Sequence, residues 1–91
     1  MADVVVTLKI MPDSVEVNLT DVEKKITELI AEFGGEVGKV EKEPVGFGLV
    51  ALKMIFVMPE SLGSTEELEE EIKTLSEVGS VDVVDVRRAI G

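Results

Sequence analysis

The sequence predicts an α+β sandwich, a four-stranded antiparallel sheet with two helices against one of its faces. Three observations lead there. Two segments, Val4 to Ile10 and Leu49 to Met58, carry strand-type hydrophobicity. Two others, beginning at Leu19 and at Leu68, place apolar residues at spacings of three and four, the stripe of an amphipathic helix. Finally, 91 residues suffice for one modest core and no more, so a single domain over residues 1–91 is expected.

The first strand alternates, with Val4, Val6, Leu8 and Ile10 on one face and Val5, Thr7 and Lys9 on the other. Met11-Pro12-Asp13-Ser14 ends it with turn chemistry. The first helix carries Leu19, Val22, Ile26, Leu29, Ile30 and Phe33 on its stripe. Asn18 is suited to cap its N-terminus, and Asp21 favours the dipole in the first turn. Gly34-Gly35 ends it, because glycine adopts the left-handed conformation that a helix C-terminus requires. A short, polar second strand follows near Glu36 to Lys42, with Val37 and Val40 its only large apolar residues, which suits a sheet edge. Glu43 to Gly48 reads as a connection rich in Gly and Pro.

Leu49 to Met58 is apolar nearly throughout and reads as a long interior strand, with Val50, Leu52, Met54, Phe56 and Met58 sharing a face. Such continuity implies that much of its other face is covered as well. Ser64-Thr65-Glu66-Glu67 has the form of a capping box at the start of the second helix, whose stripe is Leu68, Ile72 and Leu75. The last strand runs from Val81 to about Arg88. Its faces conflict, since Val81 and Val83 alternate with Val84 and Val86, and a bulge near Val84 would resolve the conflict. The order strand, helix, strand, strand, helix, strand, with two helical crossovers packing on one sheet, is the ferredoxin-like arrangement.

Composition narrows the chemistry. The chain has no Cys and no His, which removes the thiolate nucleophile, the commonest general base and the commonest metal ligands. No Ser or Thr has a neighbour able to activate it. Catalytic residues, a metal site and a cofactor are therefore not expected. A net charge of −10 opposes binding to nucleic acid or to an anionic membrane, both of which need cationic contacts; a basic protein partner is compatible with it, and from charge alone the acidity serves solubility. No stretch reaches the ~18 consecutive apolar residues of a membrane span. The N-terminus lacks the basic region of a signal peptide, so a cytoplasmic protein is expected.

Ferredoxin-like folds host many functions, so residues must decide. The first strand has no aromatic for base stacking, no thiol pair is present for copper, and Met11 to Val17 has no arginine to cradle a phosphate. The acidic run Glu66-Glu67 with Glu69-Glu70-Glu71 lacks the ligand spacing of a calcium loop and reads as a solvated helix face. Two features remain. In Gly46-Phe47-Gly48 the flanking glycines leave the aromatic ring room to project as an interface anchor, or else Phe47 starts the strand and caps the core. Arg87-Arg88, the only arginines, stand together at the end of the last strand, where alternation points them to opposite faces. They could equally be solubilising charges that block an edge.

Three segments, Asp3 to Pro12, Glu43 to Leu52 and Val83 to Arg88, together resemble the archaeal elongation factor 1-beta family in order and spacing, over essentially the whole chain. The Gly-Phe-Gly segment and the basic C-terminal end are the most specific parts. The resemblance implies exchange of GDP for GTP on elongation factor 1-alpha, brought about by binding and not by covalent chemistry; a monomer is expected when the protein is free. In the eukaryotic relatives the Phe of Gly-Phe-Gly enters a pocket on the second domain of the GTPase, a role that falls here on Phe47, with Gly46 and Gly48 framing it. A penultimate Lys of those relatives enters near the magnesium site and phosphate loop, and its position falls on Arg88, with Arg87 beside it. Arg and Lys are not equivalent donors, and this chain continues through Ala89, Ile90 and Gly91 after the pair. The competing reading is a ferredoxin-like regulatory domain that binds a small metabolite between subunits.

Overall fold

The computed structural model describes residues 2–89. The elements are β1 (Asp3–Pro12), α1 (Leu19–Phe33), β2 (Glu36–Gly46), β3 (Leu49–Pro59), α2 (Glu66–Lys73) and β4 (Val78–Ala89), with a 3-10 turn at Glu60–Leu62. The strands form one antiparallel sheet in the order β2-β3-β1-β4, the ferredoxin-like arrangement that the element order predicts.

The core lies between one face of this sheet and both helices. Val6, Leu8 and Ile10 of β1 stand opposite Phe56, Met54 and Leu52 of β3. Val22, Ile26 and Ile30 of α1 and Leu68 and Ile72 of α2 join them in a single buried cluster. Removing these side chains from water is the main drive for the fold.

Local chemistry sets the helix ends. Asn18 Oδ1 accepts from the Thr20 amide at 3.0 Å and the Asp21 amide at 3.4 Å, the expected N-cap. Gly34 lies in the left-handed region at φ 110°, the conformation expected of it. Its amide donates to the Ala31 carbonyl at 3.1 Å and that of Gly35 to the Ile30 carbonyl at 2.9 Å, a Schellman closure. The capping box at α2 forms only in part. Ser64 Oγ accepts from the Glu66 amide at 3.1 Å, but Thr65 rather than Ser64 sits at the N-cap. The Thr65 hydroxyl donates to Glu69 at 2.8 Å, in place of the reciprocal Glu67 arm. Leu75 falls just beyond α2 and still packs against the core.

Pairing settles what periodicity left open. Opposite Thr7 and Leu8 stand Asp85 and Val83, so Val84 is the extra residue of a bulge. That restores Val86 to the helix side, opposite Val6, after the odd step from Val83. Exposure along this side nevertheless rises from 6% at Val81 to 59% at Val86, so the helix layer covers only the first half of β4. A second bulge at Gly38 aligns Val37 with Phe56 and Val40 with Met54, putting both valines on the core side despite their spacing.

Two expectations need correction. β2 does not stop near Lys42 but runs to Gly46, and the connection shrinks to Phe47 and Gly48. Pro44 is tolerated within it because β2 is an edge strand, where a missing N–H costs no ladder bond, and the register shifts between Pro44 and Gly46. The second face of β3 has no covering layer among the described residues. Ala51 is buried there and Lys53, Ile55 and Val57 are half-buried, shielded by side chains of the neighbouring strands. Glu43 of β2 contributes, reaching Lys9 at 3.7 Å and Lys53 at 4.0 Å and so bridging two lysines that stand directly opposite each other.

Candidate functional site

The β2–β3 turn is built from three successive residues with positive φ: Gly46 at 105°, Phe47 at 54° and Gly48 at 77°. Positive φ at both central positions is the signature of a two-residue type I′ hairpin, whose backbone twist matches that of the strands it joins. Glycine enters this region freely, but a bulky residue does so at a cost. The strained conformation turns the Phe47 ring wholly outward, at 101% exposure. Phe47 therefore does not cap the core. Val15, in the turn between β1 and α1, lies beside this hairpin, its Cγ1 3.5 Å from where a Cβ on Gly48 would stand.

The arginines lie at the other end of the sheet and on opposite faces of β4. Arg88 stands opposite Val4, on the helix side, and Arg87 opposite Val5, on the uncovered side. Each already has a carboxylate partner. Arg88 binds Glu60 through two nitrogens, with Nε donating to Oε2 at 3.2 Å and Nη2 donating to Oε1. This hydrogen-bonded pairing, followed by the charge of Glu60, raises the Arg88 pKa above its ordinary value. The guanidinium is therefore charged at any physiological pH. Arg87 Nε donates to Asp85 Oδ2 at 2.9 Å, two residues back on the same face. All four side chains are substantially exposed, so both pairs can open at little cost.

The fold does not bring Phe47 and the arginines together. From Leu49 beside the turn to Met58, in register with Val4 and hence with Arg88, is nine strand steps or about 30 Å at ~3.4 Å each. Shallow depressions flank the arginine end. One of about 460 Å³ is lined by Ala2, Asp3, Pro59, Glu60 and Ser61, and one of about 310 Å³ lies between the end of α1 and the end of β3. Among the described residues no group of three acidic side chains is arranged to hold a metal ion, and no helix is long and apolar enough to cross a membrane.

Sequence reasoning selected Phe47, Arg87 and Arg88 but missed Glu60, Asp85 and Val15. Glu60 carries no local mark, since it is 28 residues from Arg88, whereas Asp85 stands two residues before Arg87 on the same strand face, a spacing visible in the sequence. Val15 did leave one, as a lone β-branched residue in the polar turn Asp13-Ser14-Val15-Glu16.

The same fold occurs in solved structures. The C-terminal domain of the MgtC protein from Mycobacterium tuberculosis superposes with a TM-score of 0.61 at 15% identity, covering 98% of this chain and 88% of that one. The de novo designed protein Foldit4 gives 0.63 at 25% identity, covering 98% of each. These likenesses concern architecture alone. Sequence relatives speak to function. The elongation factor 1-beta of Methanothermobacter thermautotrophicus is 44% identical over 88 residues, 97% of this chain and 98% of its own length. That of Thermofilum pendens is 40% identical over 92 residues, the whole of both chains. The EF-1 guanine nucleotide exchange domain profile matches residues 5–89, which takes in the hairpin and both arginines. The chain belongs to the EF-1 guanine nucleotide exchange domain family, and its role is that of a guanine nucleotide exchange factor in translation elongation.

Proposed function

We propose that this protein promotes exchange of GDP for GTP on elongation factor 1-alpha, with Phe47 as the anchor and Arg88 as the group that loosens the nucleotide. It does so as a cytoplasmic single-domain monomer, without a cofactor, by binding and not by covalent chemistry. The observation that carries the reading is Phe47, a fully exposed aromatic held on a turn whose backbone disfavours it. Strain of this kind persists where the position has a use, and an exposed ring is the type of residue that dominates binding energy when it is buried by a partner.

The division of labour follows from the spacing. Two groups about 30 Å apart along a sheet cannot enter one pocket, so they meet two separate regions of the partner. Phe47 supplies affinity that does not depend on the nucleotide. Arg88, with Arg87 secondary, supplies the difference between the nucleotide-bound and nucleotide-free states. A cation beside a magnesium–phosphate site competes with the metal ion for oxygen ligands and so destabilises the bound diphosphate. By linkage, a factor that prefers the empty GTPase weakens nucleotide binding by the same ratio that nucleotide weakens the factor. In the free protein Arg88 is clamped by Glu60, and on the partner it exchanges that carboxylate for others.

The test is release of labelled GDP from elongation factor 1-alpha of the same source, at increasing concentrations of this protein. Saturable acceleration is expected, with Phe47→Ala shifting the half-saturating concentration and Arg88→Ala lowering the plateau. Unaccelerated release at saturating binding would remove the exchange reading.

A further inference from the structure

We infer that Val15 is a second apolar anchor for the partner surface that takes Phe47, an inference that rests on reading Phe47 as an anchor. Among the exposed large hydrophobic residues described, Phe47 at 101% and Val15 at 62% are the two most exposed. They lie at the same end of the molecule, with Val15 Cγ1 3.5 Å from the Cβ position of Gly48, the residue after Phe47. The other exposed apolar side chains have different surroundings. Val84 and Val86 are on β4 and Leu62 lies over Gly34 at the end of α1.

The turn that carries Val15 is held at several points. The Asp13 amide donates to the Glu77 carbonyl at 2.8 Å, the Glu16 amide to Ser14 Oγ at 3.3 Å, and the Val17 amide to the Ser14 carbonyl at 3.4 Å. Val15 is thus presented on a preformed turn, and ordering it on binding costs little entropy. Isolated exposed valines need no explanation, but one packed beside the turn that presents an interface anchor extends the apolar area that the anchor's partner must cover.

Charge identifies the occupant. Exposed Asp13 and Glu16 flank Val15, and the whole chain carries −10. The complementary surface is therefore a protein face with an apolar socket for the ring, an adjoining small apolar facet, and a basic rim. A second copy of this chain would bring acid against acid at the same rim, which disfavours it.

The experiment measures affinity for the nucleotide-free GTPase, melting temperature and oligomeric state for Val15→Ser, Val15→Ile, Phe47→Ala and the double variant Val15→Ser/Phe47→Ala. Val15→Ser is expected to weaken binding by about fivefold with melting unchanged, and Val15→Ile to retain wild-type affinity. In the Phe47→Ala background the loss should shrink below about twofold, because neighbouring contacts couple. Joint replacement Asp13→Asn with Glu16→Gln should lower the association rate and flatten its salt dependence. Wild-type affinity for Val15→Ser beside a weakened Phe47→Ala overturns the second anchor and leaves the first. Wild-type affinity for both overturns the anchor reading itself. A dimer that Val15→Ser dissociates, with exchange unaffected, assigns the patch to self-association and overturns the inference.

Discussion

Replacing Phe47 by Asn should make the free protein more stable and its complex weaker. The ring is 101% exposed, so its removal forfeits no buried apolar surface. What remains is the backbone term. At φ 54° an ordinary L-residue pays roughly 1–2 kcal/mol for the left-handed region. Asn enters that region several-fold more readily and is a preferred residue at the first position of a type I′ hairpin. About 1 kcal/mol of stabilisation is expected, which for a domain of this size raises the melting temperature by roughly 4–8 °C. Phe47→Ala separates the causes. Alanine keeps the Cβ that creates the strain and lacks the ring, so its stability should stay within about 0.5 kcal/mol of wild type. Both variants should lose ~2 kcal/mol or more of binding to the GTPase, the cost typical of truncating a dominant interface residue. The assays are urea unfolding with a common slope and titration against nucleotide-free GTPase. If Phe47→Asn unfolds earlier than wild type, the ring stabilises the free fold and the argument from strain is refuted.

Arg88→Ala should depress the rate of GDP release at saturating factor far more than it depresses binding to the empty GTPase, with melting essentially unchanged because the Glu60 pair is exposed. Arg88→Lys retains activity if a point charge suffices and loses it if the forked geometry is needed, while loss in Arg87→Ala with full activity in Arg88→Ala would move the role by one residue. Lys25 and Glu77 pair between α1 and the turn before β4, and the hydrogen bond between them is the first cause of both shifts, lowering the Glu77 pKa and raising that of Lys25. A lowered carboxylate pKa stabilises above the unfolded value of 4.5 and ceases to do so as pH falls through the folded value. A raised lysine pKa stabilises below 10.5 and ceases to do so as pH rises through the folded value. The stability difference between wild type and Glu77→Gln should therefore be present at pH 7 and vanish in acid and in strong alkali, and a pH-independent difference would exclude the ion pair as its source. Asn18→Ala should cost about 1 kcal/mol in urea unfolding through loss of the α1 cap, and a cost near zero would mean that the amides of Thr20 and Asp21 find other partners.

The elements that the sequence determined are those whose rules are local. The stripe of α1, its Asn18 cap and its Gly34 closure involve residues within one or two turns of each other, and all three stand as expected. The alternation of β1 and the continuous run of β3 are likewise legible, because the core-facing residues of each recur every second position, although Thr7 and Ala51 on the other face are buried as well. Where the period is interrupted, only pairing decides. The steps from Val37 to Val40 and from Val83 to Val86 make sense once Gly38 and Val84 bulge against fixed partners. Pro44 suggested a loop because proline breaks most strands, and it was the position of β2 at the sheet edge that overrode this.

The candidate site divides in the same way. Glycines around an aromatic, and two arginines in an acidic chain, are compositional anomalies that can be noticed without coordinates. Their meaning is tertiary. The sign of φ at Phe47 turns the ring to solvent, antiparallel register places the arginines about 30 Å from it, and the 3-10 turn brings Glu60 to Arg88 across 28 residues. Val15 shows the limit most plainly, since a lone valine in a polar turn is a mark without a meaning until the fold sets it beside Gly48. A one-dimensional chain records the propensities of neighbours, whereas contacts between distant segments exist only when the sheet closes and the core has chosen its faces.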